Sequence, residues 1–221
     1  MTEAALAIAP RRRHWSDWVG VVAYTTLAVT LWIRSRELGV LMLPGLLHQL
    51  LVAAAFLTRA PARRGATGWI PRVVGYAHTF LFLGFLQAAT MWHPEWVTAG
   101  DNQDVKLAGS YLWLASSIIG LWPLWYLRRS FSIEPEARSL VIEGPYRLAR
   151  HPIYAVYILN FFGIWLRTLS VPFLAVYFLW FVLLLFRVRY EERVLSAEFP
   201  EYADYRRRVG AFGPRLPSSG V

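Results

Sequence analysis

From Trp15 to Phe186 the chain alternates long apolar runs with short clusters of arginine, and that alternation leaves few folds open. A helical run of about 20 apolar residues matches the hydrocarbon thickness of a bilayer. A helix satisfies its own backbone in lipid, so several such runs in one chain predict a bundle of spanning helices. Four runs lie at about residues 15–33, 38–58, 73–92 and 107–127. They predict an all-α, polytopic integral membrane bundle, with residues 1–130 as a four-helix scaffold.

The loops between the runs set the expected sidedness. Arg11, Arg12 and Arg13 precede the first run, and the loop 59–72 holds four arginines and no acid. Arg128 and Arg129 follow the fourth run, whereas the loop 93–106 carries Glu95, Asp101 and Asp104. Arginine-rich loops stay on the cytoplasmic side. Both termini and everything around residues 128–150 are therefore expected there, with residues 1–14 an anchor and not a cleaved signal. The net charge of +9, from 22 Arg and one Lys, has the same origin. These arginines sit at the ends of apolar runs, which argues against a nucleic-acid surface. The 11 Trp and 11 Tyr suit interfacial belts. No cysteine is present, so disulfides and thiolate metal sites are excluded. No His and carboxylate group has metal-ligand spacing, and no metal site is predicted. A high-arginine, low-lysine chain points to a high-GC bacterium, hence a bacterial inner membrane.

Two polar islands break the apolar pattern near the carboxyl end. The first, residues 144–154, reads GPYRLARHPIY. Pro145 and Pro152 fix the backbone and turn the preceding residues away from helix. Pro152 also suits the first position of the helix that follows. The chain then runs apolar to Leu166, turns through Arg167, Ser170 and Pro172, and stays apolar to Phe186. This predicts a helical hairpin whose second limb continues beyond the apolar run as an amphipathic helix. The second island, residues 187–209, would then return to the side of the first. Residues 131–209 form the predicted active-site region on the cytoplasmic side, and residues 210–221 a flexible tail.

Individual polar residues carry different weight. Arg187 and Glu191 are one helical turn apart and share a face. An arginine directly after an apolar run needs a partner, which makes this pair a site candidate. Glu192 lies about 100° around the helix and is read as facing water. His151 gains interest from its neighbours Tyr146, Arg147, Arg150 and Tyr154. His48, Gln49, His78 and Gln87, inside spans, are read as interhelical hydrogen-bonding residues, with a substrate passage as the alternative. Tyr202 and Tyr205, with Arg206–Arg208, are read as a surface helix against anionic headgroups.

GPYRLARHPIY, a helical hairpin, then EE-x-x-L and F-x-E-Y-x-x-Y resembles the isoprenylcysteine carboxyl methyltransferase family, a relation of the phospholipid N-methyltransferases. The resemblance covers about residues 138–209. It implies an integral membrane enzyme that binds S-adenosylmethionine without a Rossmann domain, and no GxGxxG loop is present. By this resemblance the cofactor-binding residues are Arg138, Ser139, Leu140 and Val141, then Tyr146, then His151, Pro152, Ile153 and Tyr154, then Glu191. Arg187, one turn before that acid, corresponds to the family arginine implicated in substrate handling. The implied partner is a lipophilic acceptor entering from the bilayer, carboxylate by analogy, with amine and thiol acceptors left open.

Two departures bear on the substrate. Val156 stands where the family has Gly, and the Phe199-to-Tyr202 segment is one residue shorter than its family counterpart. A membrane sterol-type reductase with a nicotinamide cofactor, which carries a similar RHP-x-Y segment, is the alternative reading.

Overall fold

The computed structural model describes residues 15–38, 43–97 and 101–215. Its long helices are α1 (Trp15–Leu38), α2 (Leu43–Thr58), α3 (Ile70–Trp92), α5 (Gln103–Leu127), α6 (Pro152–Thr168) and α7 (Val171–Glu198). Two short helices, α4 (Pro94–Val97) and α8 (Tyr202–Arg208), complete the helical set. The all-α expectation holds apart from one two-residue antiparallel ladder. There β1 (Arg64–Gly65) pairs with β2 (Glu136–Ala137), with Arg64 opposite Ala137.

Four helices stand where the four runs were read, but they are not four equivalent spans. Only α5 and α7, among the described residues, combine the length and mean hydropathy of a crossing. The 16 residues of α2 cover about 24 Å, short of the roughly 30 Å hydrocarbon layer. The starts and stops are readable. Asn102 caps α5 by accepting from the Val105 amide at 3.1 Å. Pro152 opens α6 as its first residue. Leu169 ends α6 in the left-handed region (φ 48°), and its amide returns to the Trp165 carbonyl at 2.7 Å. Ser170 and Pro172 then start α7, which closes the hairpin in two residues.

The bundle buries an apolar core around Phe56, Phe82, Phe173 and Trp180 and also turns many large apolar side chains outward. Arg187, His78, Ser116 and Ser117 are buried, while Trp18, Val22, Leu47, Phe178 and Leu179 are exposed. Outward apolar side chains over this many helices form a surface suited to lipid. The close helix contacts rely on small residues. A Cβ on Gly109 would lie 2.8 Å from the Gly163 carbonyl oxygen, and one on Gly163 would lie 2.9 Å from the Gly109 oxygen. Only glycine lets α5 and α6 approach this closely. Between these backbones Asn160 Nδ2 donates to Ser117 Oγ at 2.9 Å and Ser116 Oγ at 3.1 Å.

One end of the bundle collects the arginine-rich segments. Arg59 reaches Asp17 at 2.5 Å, both nearly fully enclosed, tying the end of α2 to the start of α1. Arg64 pairs with Glu198 and Arg72 with Glu134. The loop after α5 packs on α3 at Gly75, where a Cβ would meet the Ile133 oxygen at 2.4 Å. These contacts place residues 131–141 against α3 and α7.

Candidate active site

Arg187 is the hub of that end. It is 4% exposed, near the point where α7 leaves its apolar stretch. Its Nε donates to Tyr154 Oη at 2.7 Å and Glu191 Oε1 at 2.9 Å. Nη1 donates to the Gly75 carbonyl at 3.1 Å and Thr79 Oγ1 at 2.9 Å, and Nη2 to the Ser132 carbonyl at 2.6 Å. One side chain thus joins α3, α6, α7 and the 131–141 segment. A guanidinium has five N–H groups. Four are engaged here. Its burial is compensated by this full set of partners and by Glu191.

Tyr154 completes a triangle. Its hydroxyl donates to Glu191 Oε1 at 2.6 Å while accepting from Arg187. Glu191 Oε2 lies 3.9 Å from His151 Nδ1. His151 stacks on Tyr154 at 5.6 Å between ring centres and lies 3.2 Å, through Nε2, from Glu192 Oε1. Glu192 is therefore not the water-facing residue that helical spacing suggested. Arg150 also reaches it, at 2.8 Å, so the first island folds over that face of α7.

The segment after α8 adds a second correction. Gly210 and Ala211 belonged to the expected flexible tail, yet their carbonyls accept from the amides of Arg150 and His151 at 2.9 and 2.8 Å. Arg150 Nη1 also donates to the Val209 carbonyl. Phe212 lies beside the His151 ring. Tyr202 and Tyr205, read as headgroup-facing, are buried at 1% and 5% exposure. Tyr205 donates to the Tyr146 carbonyl at 2.6 Å, pinning the 3-10 turn Gly144–Arg147. Burial pushes the Tyr205 hydroxyl up to about 12 and Tyr146 well above the ordinary tyrosine value, so both remain proton donors.

A cavity of roughly 360 Å³ runs from this polar end into the bundle. Its volume falls in the range of small-molecule sites. Nine of the ten residues assigned to the cofactor line it: Arg138, Ser139, Leu140, Val141, Tyr146, His151, Ile153, Tyr154 and Glu191. Pro152 is buried but does not line it, acting instead as the first residue of α6. The Arg138 side chain turns to Glu136 Oε2 at 2.5 Å and to the Ala60 carbonyl, which makes it a tie for β2. The backbones of Leu140 and Val141 make no hydrogen bond among the described residues, so their amide and carbonyl groups are available.

The inner arm is lined by Tyr24, Leu27, Leu83, Leu86, Phe161 and Ile164. His48, Gln49, His78 and Gln87 also line it. His48 joins the Tyr157 hydroxyl at 3.0 Å, the interhelical bond expected of it. Gln49 Oε1 and His78 Nε2 are buried without a partner among the described residues. Val156 fills the groove at Gly120 on α5, its Cγ1 3.1 Å from where a Cβ there would stand.

The donor set fits S-adenosylmethionine. A carboxylate with one oxygen committed and one turned toward His151 suits a cationic or hydroxyl group. The free backbone of residues 140–141, beside Ile153, suits a flat heterocycle with donor and acceptor edges.

Comparison with known proteins agrees with this geometry. Residues 107–201 match the phospholipid methyltransferase family. The match begins inside α5, well before Arg138, where the resemblance was first read. The cobalt-zinc-cadmium resistance protein CzcN of Cupriavidus metallidurans is 34% identical over 140 residues, 62% of this chain and 60% of that protein. The nickel-cobalt-cadmium resistance protein NccN of Alcaligenes xylosoxydans xylosoxydans is 32% identical over 138 residues, with the same shares. The chain thus spans less than two thirds of the length of these relatives.

Proposed function

We propose, from the premise that residues 107–201 are a phospholipid methyltransferase-family region of a membrane protein, that this chain is an S-adenosylmethionine-dependent methyltransferase acting on a lipophilic acceptor. One observation carries the reading: a single cavity joins the polar constellation around Glu191 to an apolar interior reaching between the helices. A polar cofactor and an apolar acceptor can meet there with water excluded. Holding two reactants in such an arrangement supplies several kcal/mol of the barrier reduction.

The sulfonium supplies an electrophilic methyl group. Glu191, with its Oε1 fixed by Tyr154 and Arg187, presents its other oxygen to the cofactor. Tyr146 and His151 offer polar contacts, and Leu140, Val141 and Ile153 an apolar wall. Arg187 is a positioning residue, since its donors hold Glu191 and Tyr154 in place. The acceptor is proposed to be a carboxylate, as in the isoprenylcysteine enzymes. The relatives are named for metal resistance, which identifies no acceptor, so the cavity alone argues for one.

Equilibrium binding to the detergent-purified protein tests the reading. Wild type should bind S-adenosylmethionine saturably and NADPH not at all, and Glu191→Ala should weaken S-adenosylmethionine binding at least tenfold. NADPH binding without S-adenosylmethionine binding would move the protein to the reductase class.

A further inference from the structure

We propose that His78 recognises the methyl acceptor, its Nε2–H donating a hydrogen bond to one oxygen of a lipophilic carboxylate in the inner arm of the cavity. This rests on the methyltransferase reading above. His78 is 4% exposed and lines the cavity from α3. Its Nδ1 lies 3.5 Å from Nη1 of Arg187. A guanidinium only donates, so Nδ1 presents its lone pair and the ring proton sits on Nε2. That N–H is buried, and no described residue accepts from it. Buried donors in folded proteins nearly always have partners, so an orphan on a cavity-lining residue marks a place for a ligand acceptor.

The ring is held in that direction. It stacks on Trp180 with centres 5.1 Å apart, and Tyr154 meets it edge-on at 5.6 Å. It also stands at the boundary between two chemistries. Toward one side are Arg187, Tyr154 and Glu191. Farther along the same helix, Leu83 and Leu86 line the apolar arm. An amphiphile with its chain among those leucines would bring its head group to His78.

The proton inventory suits a carboxylate head group. The lone pair of His78 faces Arg187, and Glu191 Oε1 already accepts from Tyr154 and Arg187. Glu192 Oε1 is held by Arg150 and His151. An ammonium or thiol acceptor must lose a proton before it attacks, and the atoms just named already hold partners. A carboxylate has none to lose. One of its oxygens forms the O–CH3 bond as the CH3–S bond breaks, and the bonding pair goes to sulfur. The products are a neutral ester and a neutral thioether, with no proton transferred. The other oxygen accepts from His78 Nε2–H, which fixes the attacking oxygen's direction.

The test uses purified protein in detergent with S-farnesyl-N-acetylcysteine as acceptor probe, beside its decarboxylated analogue. His78→Leu should weaken binding of the acid ten- to a hundredfold, with S-adenosylmethionine affinity within twofold of wild type. His78→Gln, whose amide N–H reaches the Nε2 position, should recover most of the loss. Wild type should prefer the acid to its decarboxylated analogue, and His78→Leu should lose that preference. Should His78→Leu not fold, His78→Asn, whose shorter amide stops near the Nδ1 position, takes its place against His78→Gln. Unchanged acid affinity in the donor-less variant overturns the proposal. So does a wild type that binds S-adenosylmethionine but not the acid, and the methyltransferase reading then still stands. A wild type that binds no S-adenosylmethionine overturns that reading and this one with it.

Discussion

Arg187 shows how far a single position can be read from sequence. Its place at the end of FVLLLF and its spacing to Glu191 announced a partnered charge, and the pair is found at 2.9 Å. The partners from α3 and from Ser132 were not legible, because they arrive from distant segments. They tie Arg187 to α3 and to the segment after α5. A lysine cannot reproduce this planar fork. Arg187→Lys should therefore lower the thermal unfolding temperature in detergent and weaken S-adenosylmethionine binding by about tenfold or more. Arg187→Met, leaving half-buried Glu191 without its cation, should lower stability, read by thermal or denaturant unfolding. His78 was legible only as a polar residue in an apolar run. Its packing partners hid its function, since spacing along one helix cannot show which face borders a void.

Among the elements, the hairpin was the most legible feature. Pro152 at the start of α6 and Ser170 with Pro172 at the start of α7 are local signals, and local signals survive folding. The α5–α6 interface was not, because it pairs Gly109 with Gly163 across two helices far apart in sequence. Gly163→Leu would drive a side chain into the Trp113 amide nitrogen, 2.8 Å from a Cβ at that position. Overpacking of this kind costs about 1–3 kcal/mol or more, and should appear as lower thermal stability with α5 and α6 splayed. Gly84→Ala on α3 is the control. No atom lies within 4 Å of a Cβ there, so stability should hold or rise slightly. The misreadings of Glu192, Tyr202 and Tyr205 share one cause. Helical periodicity says which residues share a face, and an apolar-to-polar boundary then suggests water. It does not say that a later segment folds back to cover that face.

At the scale of the molecule, the sequence disclosed a helical bundle with membrane-length apolar helices and two polar islands meeting at one end. Charge clusters and apolar runs are properties of long segments, robust to local error. It did not disclose the cavity, which exists only because six helices leave a gap along Tyr24, His48, His78, Trp113, Tyr157 and Trp180. Nor did it disclose the strap of residues 209–211 across Arg150 and His151. A chain ended after Arg208 should keep its bundle but bind S-adenosylmethionine about tenfold more weakly, as measured by equilibrium binding, since two buried amides lose their acceptors.

The strap also has a consequence for biosynthesis. Residues 209–211 leave the ribosome after every long helix of the bundle, yet they close on residues 150 and 151, which were made earlier. A nascent chain can form all six long helices while residues 150 and 151 still lack this strap. On the methyltransferase reading, the order of synthesis leaves the half-made protein with a looser grip on cofactor than the strapped one.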